Sequence, residues 1–299
     1  MRIFRSFLYA AGNQPKQMEK AASSGADALI FDLEDKVPID QKGVARSITR
    51  EYIGRLSKKC VIYVRVNSLE SGMLLDDLKA VAIDGLEGIR IPKVDSPETV
   101  KAVAALLGEV EQAHGLPPGS INLCIGLESA RGVHLAYEIF SASSRISTAS
   151  LGLAKGGDLE TDIGYLWSEE RTEVLYVRSK VLLAARIAGI PIPMDGGYST
   201  GQSYERSRDE AGLIRDAQLG RSLGYRAKVC LYPGHVEHIN QIFTPTTKEI
   251  DYSRRVLEAF EAAVTQNSPS TSVDGKLIDD TQVANARKIL FWAKGIDCG

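Results

Sequence analysis

Leu123-Cys124-Ile125-Gly126-Leu127-Glu128-Ser129-Ala130-Arg131-Gly132 is a short apolar run that stops at a carboxylate and passes into small residues, an arginine and a glycine. A buried apolar strand has no use for an unpaired Glu, because desolvating its charge costs several kcal/mol. Glu128 is therefore paired, coordinates a cation, or takes part in acid–base chemistry. Which of these holds depends on what the other strands place beside it.

Runs of the same kind recur along the chain. The candidate strands are Ser6–Ala10, Ala28–Leu33, Val61–Val66, Gly88–Pro92, Ile121–Leu127, Ile146–Leu153, Ile190–Met194 and Ala227–Leu231. Several are continuously apolar, as strands covered on both faces are. Helical patterns lie between them at Lys16–Ser24, Gln41–Leu56, Ser96–His114, Ser168–Ala188 and Tyr204–Leu223. Ser96-Pro97-Glu98 supplies an N-cap, a proline at the first helical position and an early acid, while Gly25, Gly189 and Gly224 close helices. Eight strands alternating with helices predict a (β/α)8 TIM barrel over residues 1–240. A doubly wound sheet is the rival, but no strand is followed by a Gly-x-Gly-x-x-Gly turn. Residues 241–299 form a C-terminal helical extension, with helices expected at Lys248–Gln266 and Asp280–Lys294 around a Ser/Pro/Thr-rich loop at Asn267–Thr271. This extension is expected to have no strand and too little apolar surface to fold alone, and so to pack on the barrel or on a neighbouring subunit.

The 299 residues include 36 basic and 38 acidic side chains, a net charge of −2. That balance gives no reason to expect nucleic acid or a membrane surface as partner. No apolar run approaches the roughly 20 residues of a membrane span, and the start is too broken for a signal peptide. The four cysteines (Cys60, Cys124, Cys230, Cys298) show no paired spacing, which fits a reducing, cytoplasmic setting.

Chemistry in a barrel collects at the carboxyl ends of its strands. Here those ends read Asp32-Leu33-Glu34-Asp35, Arg65-Val66-Asn67, Pro92-Lys93, Glu128, Gly156-Gly157-Asp158, Asp195-Gly196-Gly197 and Tyr232-Pro233-Gly234-His235. One charged strand end usually caps a helix or meets solvent; six or more at one end mark a site. Glu128 and Asp158, from adjacent strands, offer two hard oxygen ligands with open positions, the arrangement that suits Mg²⁺. The four histidines lack the spacing of a zinc site. Arg65 reads either as an ion-pair partner of Asp32 or Glu34, or as the fork that holds a substrate carboxylate. Lys93 competes as a Schiff-base lysine, with pairing to an acid the simpler reading.

In order and spacing these residues resemble the citrate lyase β-subunit-like branch of the HpcH/HpaI aldolase superfamily, which includes malyl-CoA and citramalyl-CoA lyases. The resemblance runs through Arg5-Ser6-Phe7-Leu8, Lys20-Ala21, Gly25-Ala26-Asp27, Asp32-Leu33-Glu34-Asp35, Val64-Arg65-Val66-Asn67, Pro92-Lys93-Val94, Glu128-Ser129-Ala130-Arg131-Gly132, Asp195-Gly196 and Asp274-Gly275-Lys276-Leu277-Ile278-Asp279. It implies a Mg²⁺-dependent carbon–carbon lyase acting on a 3-hydroxyacyl-CoA, with an acyl-CoA thioester and a 2-oxo acid as partners of the reaction and a trimeric or hexameric assembly. By position it makes Glu128 and Asp158 the metal ligands and Arg65 the carboxylate holder. Asp32, Glu34 and Asp35 would support Arg65 and the waters of the metal, and Arg5 and Lys20 would face CoA phosphates. Asp279 would act as the acid or base in a neighbouring subunit's site.

The chain departs from the family pattern at several points. Lys155-Gly156-Gly157-Asp158 replaces Gly-x-Glu-Asp, Leu231-Tyr232-Pro233-Gly234-His235 replaces Ile-His-Pro-x-Gln, and Asp280-Thr281 follows Asp279 where proline is usual. Ala10-Ala11-Gly12 stands where Pro-Gly is usual. These changes disfavour citrate lyase proper and keep two alternatives open: a lyase of free 2-oxo acids, and a barrel that has lost catalysis and serves binding or assembly. Arg131 and Gly132 read as the turn that starts the next helix.

Overall fold

Eight parallel strands close into a barrel in sequence order, with the first pairing to the last. The computed structural model describes residues 3–201, 209–266 and 270–297. The strands are β1 (Ser6–Ala11), β2 (Ala28–Asp32), β3 (Val61–Arg65), β4 (Gly88–Ile91), β5 (Asn122–Leu127), β6 (Ile146–Leu151), β7 (Ile192–Asp195) and β8 (Ala227–Cys230). Side chains alternate along each strand, so Phe7, Tyr9, Ile30, Tyr63, Cys124, Ile192, Met194 and Val229 fill the barrel interior. Phe7 meets the Tyr63 ring edge-on at 5.7 Å between centroids, and full burial of such a side chain contributes about 1.5–3 kcal/mol. The lower barrel is therefore apolar, and polar side chains have room only near the strand ends.

The helices between the strands include α1 (Pro15–Ala22), α2 (Lys42–Leu56), α3 (Leu74–Val81), α4 (Pro97–Ala113), α5 (Ala130–His134), α6 (Ala136–Phe140), α7 (Asp158–Ile163), α8 (Leu175–Ile187) and α9 (Glu210–Leu223). The expected start of α4 is present: the Ser96 side chain accepts from the Thr99 amide at 3.3 Å, with Pro97 at the first helical position. Residues 204–208 of the expected Tyr204–Leu223 helix lie outside the described residues; the remainder is α9, capped by Asp209 and ended by Gly224 at φ 112°. The expected helix over Ser168–Ala188 begins only at Leu175, after a 3₁₀ turn at Thr172–Val174. Arg171 breaks it by adopting φ 59° and donating from its guanidinium to the Leu153 carbonyl at 2.9 Å. Helix α3 and the short helices α6 and α7 are additions to the expected pattern.

Strand parity corrects one expectation. Asp195 ends β7 next to the inward Met194 and so points outward, toward the helix layer, instead of joining a cluster at the barrel mouth. It is fully buried there with Lys228, Arg178 and Asp216. Lys228 Nζ stands 2.7 Å from Asp195, 2.6 Å from Asp216 and 2.6 Å from the Gly196 carbonyl. Arg178 binds Asp195 through two nitrogens and donates to Asp216 at 3.0 Å. Burial alone would raise the Asp216 carboxyl, but Lys228 and Arg178 hold it down at about 2. This network fastens β7 and β8 to α8 and α9.

Residues from Ile242 onward, with Ile3, form a second compact unit, distinct from the one spanning Phe4–Gln241. Its helices are α11 (Thr247–Thr265) and α12 (Asp280–Asp297), numbered after α10 (Val236–Phe243). The expectation of no strand in this region is overturned: β9 (Thr271–Val273) and β10 (Lys276–Ile278) pair as an antiparallel hairpin. Asp274 (φ 52°) and Gly275 (φ 75°) make its turn, the left-handed pair that favours Asp-Gly. Val256, Val273, Ile278, Val283 and Ala286 form a small core of this unit's own. Among the described residues no helix is long and apolar enough to cross a membrane.

The buried network generates a stability prediction. Lys228→Met leaves two buried carboxylates short of a cation and should lower unfolding free energy by about 3–5 kcal/mol in urea denaturation. A loss below about 1 kcal/mol would show that the network is not a stabilising unit.

Candidate active site at the carboxyl end of the barrel

Five polar side chains point inward at the strand ends: Tyr9, Asp32, Arg65, Arg90 and Glu128. Asp32 and Arg65 are register partners on β2 and β3. Arg65 Nε and Nη2 donate to the two Asp32 oxygens at 2.8 and 2.5 Å, the bidentate geometry of a strong guanidinium–carboxylate pair. Its Nη1 stands 2.8 Å from Glu34 and 3.3 Å from Asp35. The guanidinium also lies 5.2 Å from the centre of the Tyr9 ring. Of the two roles open to Arg65 in the sequence, the structure displays the ion pair directly.

The loop after β2 is held from two sides. Lys42 Nζ, on α2, donates to the carbonyls of Leu33 and Glu34 at 2.6 and 2.8 Å and to Asn67 at 2.8 Å. Asn67 in turn donates to Leu33 and, through its backbone and side chain, to the buried Asp77. Glu34 and Asp35 are thus fixed beside Arg65 before any ligand arrives.

Lys93 occupies the left-handed region at φ 53°, a conformation that costs a non-glycine residue about 1 kcal/mol or more. The strained residue lies two positions past β4, after Pro92, and its Nζ stands 3.1 Å from Glu34, 3.6 Å from Asp35 and 3.5 Å from Asp158. Burial alone would depress the amine, but the hydrogen bond and charge of Glu34, followed by Asp35 and Asp158, carry it well above its ordinary value. A lysine held this firmly as a cation is a poor Schiff-base nucleophile.

Glu128 follows β5, is 9% exposed, and makes no hydrogen bond through its carboxylate among the described residues. Its nearest cation is Arg90 Nη2, at 3.7 Å. Burial raises its pKa, against the charges of Arg90 and Arg65. Asp158 opens α7 and lines the same cleft of about 170 Å³, with Tyr9, Arg65, Arg90 and Glu128 around it. The two acids are brought together by a backbone tie: the Ala130 amide, two residues past Glu128, donates to Asp162 on α7 at 2.6 Å. Ser129 caps α5 by accepting from Gly132 at 3.0 Å, so Arg131 and Gly132 do start a helix.

The donor chemistry fits Mg²⁺. A carboxylate that is almost buried and has no hydrogen bond among the described residues, with a half-exposed one beside it, leaves coordination positions for water and substrate oxygens. No group of three His, Cys, Asp or Glu side chains forms a ready-made metal cage among the described residues.

Arg5 and Lys20 lie elsewhere in the barrel. Arg5 precedes β1 and Asp27 precedes β2, so their pair sits at the amino end of the barrel, opposite the cleft. Arg5 Nε and Nη2 engage the Asp27 carboxylate at 2.8 and 2.7 Å. Lys20 is an exposed residue in the last turn of α1, the helix that returns the chain to that same amino end. Neither belongs to this cleft. Asp279 is exposed and caps α12, accepting from the Thr281 amide at 2.7 Å. At Tyr232 and His235, where the chain leaves the family pattern, the two rings stack edge-on at 5.2 Å. Arg90 and Tyr9 are site residues that the sequence reading passed over. An arginine inside Gly88-Ile89-Arg90-Ile91 is as costly as the glutamate at the end of β5, and the same criterion identifies it.

Glu34 supplies a pH prediction. Burial, then the neighbouring Asp35, raise it against Arg65, from an ordinary 4.5 to about 7. The folded chain therefore binds this proton more tightly than the unfolded one. Stability from the protonated form is fully present below about 4.5 and is lost as pH rises toward about 7. Denaturation across this window should show stability falling with pH, and Glu34→Gln should flatten the slope. An identical slope in the variant would assign it to other groups.

Residues 5–233 match the family model described as HpcH/HpaI aldolase/citrate lyase. The β subunit of citrate lyase from Escherichia coli (strain K12) is 34% identical over 295 residues, covering 98% of this chain and 94% of that protein. A (3S)-malyl-CoA thioesterase from Cereibacter sphaeroides (strain ATCC 17025 / ATH 2.4.3) is 33% identical over 294 residues, covering 98% and 95%. Among solved structures, a citrate lyase β subunit from Mycobacterium tuberculosis complexed with oxaloacetate and magnesium is 25% identical with a TM-score of 0.63, covering 81% of this chain and 98% of that one. Similarity to citrate lyase β subunits extends over nearly the whole chain despite the departures at Gly157 and Tyr232–His235. The chain belongs to the HpcH/HpaI aldolase/citrate lyase family and is an enzyme of its carbon–carbon lyase class.

Proposed function

We propose that the protein is a Mg²⁺-dependent lyase that breaks or forms the bond between a 2-oxo acid and the α-carbon of an acyl-CoA thioester. The observation that carries this reading is Glu128: a nearly buried carboxylate without a hydrogen bond among the described residues, sharing a cleft with Asp158 under two inward arginines. Magnesium and oxaloacetate in a structural relative support the ion and the acid, and a malyl-CoA thioesterase among the sequence relatives supports the thioester.

Glu128 and Asp158 would hold the ion, which supplies Lewis-acid stabilisation of developing oxyanion charge. Arg65, kept rigid by Asp32, presents Nη1 to the cleft. The long 3.3 Å contact to the half-exposed Asp35 is the one that a substrate carboxylate displaces most readily. In cleavage, the substrate's 3-hydroxyl gives its proton to solvent water as the C2–C3 bond breaks and the C3 carbonyl forms. One product is the 2-oxo acid; the other is a thioester enolate that takes a proton at C2. We assign that proton to Asp279 of a neighbouring subunit, in a homotrimer or hexamer. Lys93, a permanent cation between Glu34 and Asp158, fixes the loops without entering the chemistry.

A coupled assay with acyl-CoA thioesters against glyoxylate, pyruvate and oxaloacetate tests the reaction class. Activity should require Mg²⁺ and disappear with EDTA. Glu128→Gln and Asp158→Asn should each weaken Mg²⁺ binding by about 10-fold or more, whereas Asp279→Asn should cut turnover with metal affinity retained. Release of free CoA without a 2-oxo acid would instead make the protein a thioesterase. Full Mg²⁺ affinity in either carboxylate variant would remove the assigned metal site.

A further inference from the structure

Two arginines lie side by side inside the barrel, because the register of β3 and β4 pairs Arg65 with Arg90. Their surroundings differ. Arg65 already holds Asp32, Glu34 and, over a longer contact, Asp35. Arg90 is 4% exposed, yet its contacts are a weak acceptor, Cys124 Sγ at 3.4 Å, and the Glu128 carboxylate at 3.7 Å. Its buried Nε has no hydrogen-bond partner among the described residues.

A plain counter-ion to Glu128 is the obvious alternative, and the chain shows what such pairs look like when it builds them. Arg145 holds the buried Glu111 through two nitrogens at 2.8 and 2.7 Å, and Arg5 holds Asp27 at 2.8 and 2.7 Å. Arg90 stands an ångström farther from Glu128 and makes no hydrogen bond to it. Gly126 leaves room for both groups, since a Cβ there would stand 3.0 Å from Arg90 Nη2 and from Glu128 Oε1. A guanidinium buried with unspent donors, on the wall of the cleft that holds Glu128 and Asp158, is preorganised for a planar oxyanion.

We propose that Arg90 is a second substrate-binding residue, which accepts a carboxylate of the acid in addition to the one oriented by Arg65. The cleft then prefers a 2-oxo acid carrying two carboxylates to one carrying a single carboxylate. This assignment rests on the lyase reading only in that the acid occupies this cleft.

Calorimetric titration with Mg²⁺ present, using freshly dissolved oxaloacetate and pyruvate as probes, tests it on wild-type protein, Arg90→Met and Arg90→Lys. Wild type should bind oxaloacetate more tightly than pyruvate. Arg90→Met should lose about 10-fold to 100-fold in oxaloacetate affinity, the worth of a charge-assisted hydrogen-bond pair, and less than about 3-fold for pyruvate. Arg90→Lys, which keeps the charge but not the fork, should fall between them and guards against a folding defect in the Met variant. Equal losses for both acids would make Arg90 a counter-ion of Glu128 and overturn the proposal, as would unchanged binding or a wild type without preference. A protein that discriminates the acids through Arg90 yet cleaves no thioester would refute the lyase reading and leave this assignment standing.

Discussion

The bidentate pair between Arg65 and Asp32 is the constraint on which the upper barrel depends. The two residues are register partners on adjacent strands, buried and hydrogen-bonded from one guanidinium edge to both carboxylate oxygens. A buried arginine without that partner would face a desolvation penalty of several kcal/mol. With it, the guanidinium becomes a fixed post against which Glu34 and Asp35 gather, and Lys93 accepts a strained backbone to reach the same acids. Charge is tolerated at this end of the barrel because each group limits the freedom of the next.

The contrast with the second buried ion cluster shows how strand parity separates structure from chemistry. Asp195 and Lys228 are as charged as Asp32 and Arg65, and as deeply buried. They point outward, into the helix layer, where Arg178 and Asp216 satisfy them completely. The inward cluster leaves Glu128 and Arg90 short of partners, at the rim of an open cleft. Unsatisfied donors and acceptors around a cavity are what a ligand completes; a saturated network only fastens elements together.

Much of this was legible in the residues. The eight apolar runs and the helix caps at Ser96 and Gly224 specify the barrel, since each reflects local backbone chemistry. The acids at the ends of β2 and β5 and at the start of α7 were visible as charge that an apolar strand cannot carry alone. What remained hidden needed three dimensions. The outward turn of Asp195 depends on counting from Met194 in a known register. Arg171 breaks an otherwise helical pattern by capturing a carbonyl 18 residues away. The hairpin at Asp274-Gly275 had its turn signal in plain view, but three-residue strands carry almost no periodicity. Arg5 and Lys20 matched a motif by position, and only the direction of the barrel axis places them at the other end.

The most direct test of the account is where a divalent ion sits. Crystals soaked in Mn²⁺, measured above the manganese absorption edge, should show one anomalous peak at ligand distance, about 2.1 Å, from carboxylate oxygens of both Glu128 and Asp158. A peak that touches neither residue, or one held by Glu34 and Asp35 in their place, would contradict it.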